Sequence, residues 1–257
     1  MNKLVIKDTV DTQYKSPDKL NVRIRLHQLY STNKEGFNNW ILKHYSIKKE
    51  SSILELGCGT GITWKDNTYL LQDCKEIYVT DLFEGMIEKA RTNIGGYSNI
   101  HYEVVNAEDL PYEDERFDIV IANMMLYHIP NLDKALSEIR RVLKKNGIFY
   151  SATYGENGVE SFINQMLSIQ TERQHTFTLQ NGKGILEDWF SDVEKLEYDD
   201  KLLISNYSDL VEYIQSFKEM NDWQNYSKEE LYRLISDYEK QGVIEIPKEY
   251  GMFVSRK

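Results

Sequence analysis

The sequence predicts an α/β domain built on a doubly wound, mostly parallel sheet. Three observations carry that expectation. Short apolar runs alternate with segments of helical period between residues 52 and 152. A glycine-rich loop, Gly57-Cys58-Gly59-Thr60-Gly61, follows the first run, and an acid, Asp81, closes the second. Strands alternating with crossover helices make a parallel sheet covered on both faces. Loops at the carboxyl ends of such strands share one edge, the usual ligand edge.

Each element follows from its pattern. Residues 17–46 read as helical, with Val22, Leu26, Leu29 and Tyr30 on one face. Ser52–Leu56, Ile77–Thr80, Tyr102–Val105, Ile119–Ala122 and Ile148–Ala152 are short runs rich in Ile, Val, Leu or Tyr, as buried strands are. Met86, Ile87 and Ala90 repeat at helical spacing, as do Leu132, Ala135, Leu136, Ile139, Val142 and Leu143. The second helix is expected to stop at Lys144-Lys145-Asn146-Gly147, cations for the helix dipole and then glycine for a left-handed cap. Val193–Tyr198 and Leu202–Ser205 read as strands, and Ser208 as the cap of a helix carrying Leu210, Ile214 and Phe217. Ser227-Lys228-Glu229-Glu230 is a capping box opening a helix with Leu231, Leu234, Ile235 and Tyr238 inward. Met252–Val254 reads as a last strand, which makes 206–242 a helical insertion between late strands.

Composition excludes several classes. Among 257 residues, 31 Lys and Arg face 41 Asp and Glu, for a formal charge of −10. A general nucleic-acid or anionic-membrane binder needs the opposite field. The charge is uneven: ten basic and five acidic residues lie in 1–50, and seven basic and fifteen acidic in 191–250. Two solvated surfaces of opposite sign account for that. Cys58 and Cys74 form no CxxC, so neither a disulfide framework nor a metal site is expected. No apolar run approaches the roughly 18 residues of a membrane span, and residues 1–15 lack a signal-peptide core. The expected location is the cytoplasm.

The glycine loop is the most informative segment. Glycines at 57, 59 and 61 admit positive φ and let a ligand lie against the backbone. A helix N-terminus after the loop would offer free N–H groups. Twenty residues beyond Gly61, Asp81 can accept from both hydroxyls of an adenosine ribose. A dinucleotide fingerprint, G-x-G-x-x-G, would need a further glycine at Ile62 or Trp64, so no pyrophosphate seat is evident.

ELGCGTG, then YVTDLFEGMIEKAR, then VVNAEDLPYEDERFDIVIANMMLYHIPNLDKALSEIRRVLKKNGIFY resembles the class I S-adenosylmethionine-dependent methyltransferases, in particular the branch of quinone-biosynthesis enzymes. The resemblance runs through residues 45–155 and in outline beyond. It implies a Rossmann-like sheet of seven strands with the final strand antiparallel. It implies one domain over 1–257, with an N-terminal helical lid at 1–46, a cofactor-binding core at 47–155 and a substrate lid at 206–242. Glu55, Gly57, Cys58, Gly59 and Gly61 would pack on the methionine part of S-adenosylmethionine, and Asp81 would hold the ribose, with Leu82 and Met86 beside the adenine. Where the family often has Asp-Ala, this chain has Asn106-Ala107; the amide oxygen can still accept from the adenine amino group, and Glu108 is the nearest acid that could substitute. Asn123 and Met124 would lie under the methionine moiety. In the N-terminal segment Tyr14 and Arg25 are further cofactor candidates, an arginine being able to grip a carboxylate with two parallel bonds.

The implied reaction is methyl transfer to an oxygen, nitrogen or carbon of a small molecule, leaving S-adenosylhomocysteine. The sulfonium carries the activated methyl group, so the protein must align and dry the reactants. His128, just after the fourth strand, is the candidate base, its ordinary pKa suiting neutral pH. Tyr154 and Glu156 follow the fifth strand as candidate substrate contacts. Phe217 and Trp223, within the aromatic-rich insertion, are expected to line an apolar cavity for an aromatic or amphipathic molecule. A monomer or homodimer without nucleic-acid or membrane partners is expected. The alternatives are a catalytically silent S-adenosylmethionine-binding regulator and an RNA or protein methyltransferase.

Overall fold

The computed structural model describes residues 17–170, 176–217 and 222–257. In chain order the elements are α1 (Pro17–Tyr30), α2 (Phe37–His44), β1 (Ser52–Leu56), β2 (Glu76–Asp81), α3 (Glu84–Ile94), β3 (Ile100–Val104), β4 (Phe117–Asn123), α4 (Leu132–Val142), β5 (Leu143–Tyr154), α5 (Val159–Met166), α6 (Gly182–Glu187), β6 (Asp192–Tyr198), β7 (Lys201–Ile204), α7 (Tyr207–Gln215), α8 (Lys228–Ser236), β8 (Ile244–Pro247) and β9 (Tyr250–Arg256). They form two compact units. Among the described residues, the sheet unit comprises 36–155, 176–198 and 250–257; the smaller unit comprises 17–35, 156–170, 199–217 and 222–249.

The sheet unit carries seven strands in the order β3-β2-β1-β4-β5-β9-β6. Neighbours from β3 to β5 are parallel, and β9 runs antiparallel to both β5 and β6. Strand period two divides its core. Leu54, Leu56, Val120 and Phe149 pack on one face with Leu136 and Ile139 of α4; Ile53, Ile77, Ile121 and Tyr150 pack on the other with Ile41 of α2 and Ile87 of α3. The expected strands are all present, and the antiparallel last strand with them. The order reverses between β1 and β4, which opens a crevice at their carboxyl ends.

Two local expectations are corrected here. α4 stops at Val142, and Lys144–Gly147 begin β5 instead of capping the helix. The left-handed residue is Asn146, φ 62°, not Gly147, whose added Cβ would lie 2.7 Å from Leu143 Cγ. Gly147 is there for space. The helix expected after the glycine loop is replaced by consecutive i to i+3 turns: Trp64 N donates to Gly61 O, Asn67 N to Trp64 O and Leu70 N to Asn67 O. A regular helix would carry Trp64 away from the buried carboxylate that it reaches.

In the smaller unit, β7 and β8 form their own antiparallel ribbon, so the Leu202–Ser205 strand lies outside the main sheet. Leu26, Ile163, Leu202, Leu210, Ile214, Leu231 and Ile246 make its core. The 17–46 helix breaks after Tyr30, and Leu29 is half exposed instead of sharing the face of buried Leu26. The cap of α7 is Asn206, whose side chain accepts from Ser208 N, so Ser208 is not itself the cap. The Ser227–Glu230 capping box opens α8 as expected. Asp200 is buried against Lys248 at 2.7 Å and also accepts from Ser31 Oγ and Asn33 N. Burial acts to raise its carboxyl, but the lysine and these donors outweigh it and hold it below the ordinary range.

Candidate functional site

The crevice is built from five strand ends. After β1 the chain turns through Gly57, Gly59 and Gly61, with φ of 65°, 56° and 72°. Cys58 N–H donates to Thr80 O at 2.9 Å, and Gly59 N–H donates to Asp81 Oδ2 at 2.9 Å. The loop is thus tied to the end of β2. Asp81 Oδ1 accepts from Phe83 N–H at 3.0 Å.

The three glycines differ in purpose. A Cβ on Gly57 would sit 2.9 Å from Met125 Cβ, and one on Gly61 would sit 2.8 Å from Ile94 Cδ1 and 3.1 Å from Ala90 Cα. These two let the loop close on its neighbours. A Cβ on Gly59 would meet nothing within 4 Å. Gly59 leaves open a space that a ligand can fill.

Two carboxylates flank the loop. Glu55, buried in β1, accepts from Trp64 Nε1 at 2.7 Å. Burial pushes its carboxyl up to about 7; the Trp64 bond works against this and the Asp81 charge adds to it. Burial also raises Asp81, partly offset by N–H groups of Gly59, Phe83 and Leu82. The same burial, with Glu55 and Asp81 beside it, drives the Cys58 thiol far above its ordinary range. Cys58 is therefore a small packing residue with no thiolate to offer.

At the end of β4, Asn123 Nδ2 donates to Tyr45 Oη at 2.6 Å, and Asn123 Oδ1 is a buried acceptor without a partner. Met124 takes φ 53°, rare for a side chain of its size. At the end of β3, Asn106 Oδ1 accepts from Glu108 N–H at 3.0 Å, closing a local turn. Glu108 Oε1 accepts from Asn131 N–H at 2.9 Å, at the N-cap of α4. Its carboxylate is engaged there, which bears on its expected role as a substitute acceptor. Leu82 is 49% exposed beside Asp81, while Met86 and Ala107 are buried.

His128 is exposed, and its ring lies 4.4 Å from that of Tyr127. Tyr127 also meets Tyr154 edge-on at 4.7 Å, and its carbonyl accepts from Thr176 Oγ1 at 3.1 Å. The structure thus joins His128 and Tyr154, 26 positions apart in sequence, through a residue that sequence reasoning passed over. Trp64, Tyr45 and Met125 were passed over too. Each is apolar by type and reads as core until its contact with Glu55, Asn123 or Gly57 is known.

The remaining candidates belong to the smaller unit or lie outside the described residues. Tyr14 is in the latter group. Arg25 pairs with Asp209 at 3.1 Å on an exposed face of α1. Glu156 is half-buried. Phe217 packs on Trp223 at 5.1 Å and carries the Arg23 guanidinium over its ring. Trp223 is 2% exposed and donates to Asn164 Oδ1 at 2.7 Å. It is a hydrogen-bonded core residue, not the wall of an open cavity.

Comparison with known proteins agrees with this geometry. Residues 54–151 match the family described as the methyltransferase domain. The ubiquinone/menaquinone biosynthesis C-methyltransferase of Hydrogenovibrio crunogenus is 36% identical over 104 residues, 39% of this chain and 41% of that protein. Its Haemophilus ducreyi counterpart is 33% identical over 104 residues, 39% of this chain and 40% of that one. The chain thus spans about two fifths of the length of these curated relatives. Among solved structures, a phosphoethanolamine N-methyltransferase of Haemonchus contortus has TM-score 0.61 at 20% identity, covering 98% of this chain and 60% of that one. The YcgJ protein of Bacillus subtilis has TM-score 0.54 at 16% identity, covering 86% and 97%. These structural likenesses speak to the fold alone. Among the described residues, no helix is long and apolar enough to cross a membrane, and no cluster of His, Cys, Asp and Glu could hold a metal ion. The matched segment, the strand order and the glycine loop tied to Asp81 together make residues 54–151 similar to a methyltransferase domain, with the sequence likeness of this segment running to the quinone-biosynthesis C-methyltransferases.

Proposed function

We propose that the protein transfers a methyl group from S-adenosylmethionine to a small-molecule acceptor, with residues 47–155 as the cofactor-binding core. The observation that carries this reading is the Gly59–Asp81 junction at the topological switch. An open space above Gly59 lies beside a carboxylate already aimed at the loop.

The residues fit this cofactor in charge as well as shape. Glu55 and Asp81 supply negative charge where a sulfonium and an α-ammonium need it. The unpartnered Asn123 Oδ1 can accept from an ammonium N–H. Asp81 can turn an oxygen to the ribose hydroxyls while keeping a backbone donor. When bound, the cofactor supplies an electrophilic methyl group. The protein's part is to hold the acceptor in line and exclude water. The Tyr127, His128 and Tyr154 rings make an aromatic wall suited to an aromatic or amphipathic acceptor. His128, the exposed member, is the group proposed to take a proton from an acceptor that arrives protonated.

Calorimetric titration with S-adenosylmethionine, S-adenosylhomocysteine and NADH tests this. Binding of the two sulfur nucleotides and not NADH is expected, with loss of more than about a hundredfold in affinity for Asp81→Ala. NADH binding alone, or unchanged affinity in a folded Asp81→Ala variant, would overturn the assignment. Turnover in an acceptor screen then separates an enzyme from a silent binder.

A further inference from the structure

The opposite, amino edge of the sheet carries a feature that methyl transfer does not use. A cavity of about 220 Å³ lies there between the chain entering β1, the start of β4 and the start of β5. Lys48, Lys49 and Lys145 line it, with Ser46, Asn146 and Glu50. It is one length of β1 from the glycine loop, roughly 16 Å at ~3.3 Å per residue.

The lysines at this rim are sorted by the structure. Lys144 Nζ pairs with Asp118 Oδ2 at 2.9 Å, and the same oxygen accepts from Ser52 N–H at 2.8 Å. Asp118, the acid deeper in the lining, is thereby satisfied. Lys48, Lys49 and Lys145 form no ion pair among the described residues. They face one remaining carboxylate, Glu50, in a chain whose net charge is −10. Three uncommitted cations around one concavity repel each other unless an anion joins them. The turn before β1 and the irregular start of β5 that bring them together each pass through a left-handed residue with a side chain, Glu50 at φ 63° and Asn146 at φ 62°. Lys145 and Asn146 are where a helix cap was expected. Their shift into β5 is what puts them on this rim.

We propose that this cavity binds a small phosphoryl anion, a phosphate monoester or a diphosphate group. Lysine ammoniums act as point charges toward phosphoryl oxygens, and the Ser46 hydroxyl and Asn146 amide add neutral donors. The concavity suits a small group, and its polar lining with three ammoniums suits a multiply charged one. The site is independent of the methyl-transfer reading.

The test is calorimetric titration of the full chain with inorganic pyrophosphate at about 50 mM salt. A Kd below about 1 mM is expected, weakening at least about tenfold in a Lys48→Gln, Lys145→Gln variant and on raising the salt. Lys89→Gln, on the exposed surface of α3, is expected to leave the affinity unchanged. An unchanged circular dichroism spectrum and Tm of the double variant show that its fold is intact. Absence of binding up to about 10 mM overturns the proposal. So does equal loss in Lys89→Gln, or citrate binding as tightly as pyrophosphate, because either would reduce the site to a diffuse positive field.

Discussion

Glu55 is an acid in the wrong solvent, and replacing it with glutamine should stabilise the empty protein. Its carboxyl is 2% exposed, touches Trp64 Nε1 at 2.7 Å and is pushed up to about 7. In the unfolded chain the same group titrates near ~4.3. The folded state therefore holds the proton more tightly. Below about pH 4 both states are protonated, and the group contributes no difference. Between there and about pH 7 the unfolded state loses its proton first, so stability falls as pH rises, by ~1.4 kcal/mol per unit. Above about pH 7 the full penalty persists, at most about 4 kcal/mol and less where water or relaxation softens it. Glutamine cannot ionise and keeps an oxygen for the Trp64 indole. At about 2–4 °C per kcal/mol for a chain of this size, Glu55→Gln should raise Tm by several degrees near pH 8 and hardly at all near pH 4. Scanning calorimetry of both proteins across that range is the assay. Tm differences equal at both ends would refute the reasoning, because only ionisation makes them diverge. The same variant should bind S-adenosylmethionine more weakly near pH 8, having lost a negative charge beside the sulfonium and ammonium. The penalty in the empty protein is thus matched to a cationic ligand.

Two further predictions separate packing from function. Gly61→Ala should cost about 2–4 kcal/mol, since it adds contacts of 2.8 and 3.1 Å to an unfavourable positive φ. Gly59→Ala should cost only about 1 kcal/mol for φ, yet abolish cofactor binding; urea denaturation beside ligand titration distinguishes them, and equal stability losses would count against the argument. In the smaller unit, Lys248→Met should destabilise by about 3–5 kcal/mol, because it strands the fully buried Asp200 carboxylate. Adding Asp200→Asn should recover part of that loss in urea, and a single variant as stable as wild type would show the pair to be dispensable.

The sheet was legible from the sequence because each strand is a run of buried apolar residues, and burial on both faces leaves that mark whatever the partner strand is. The glycine loop was legible because its constraints are backbone constraints, visible as residue type. Partnerships were not. Nothing in the types of Glu55 and Trp64 says that they meet, and Tyr127 differs in no local way from other tyrosines until Tyr154 is laid against it. Competing local signals misled as well. Lys-Lys-Asn-Gly fits a helix stop and a strand start equally, and the hydrogen bond of Leu143 N–H back to Ile139 O closes the helix before the lysines are reached. Trp223 shows the same limit from the other side: an aromatic in a polar insertion suggests a pocket wall, but Asn164 gives its indole a partner inside the core.

The place of β9 sets a timetable for folding. Residues 250–256 lie between β5 and β6, paired with both along their whole length. During synthesis β1 to β5 can assemble as they emerge, but β6 has no neighbour to join until the chain has grown some fifty residues further. Until then the outer edge of β5 is an open ladder, the kind of edge that recruits other chains. Gly251 lets the late strand slide in, since a Cβ there would stand 2.4 Å from Leu196 O. Removal of these seven residues would take out the strand next to the sheet's edge, leaving β5 exposed and β6 unattached.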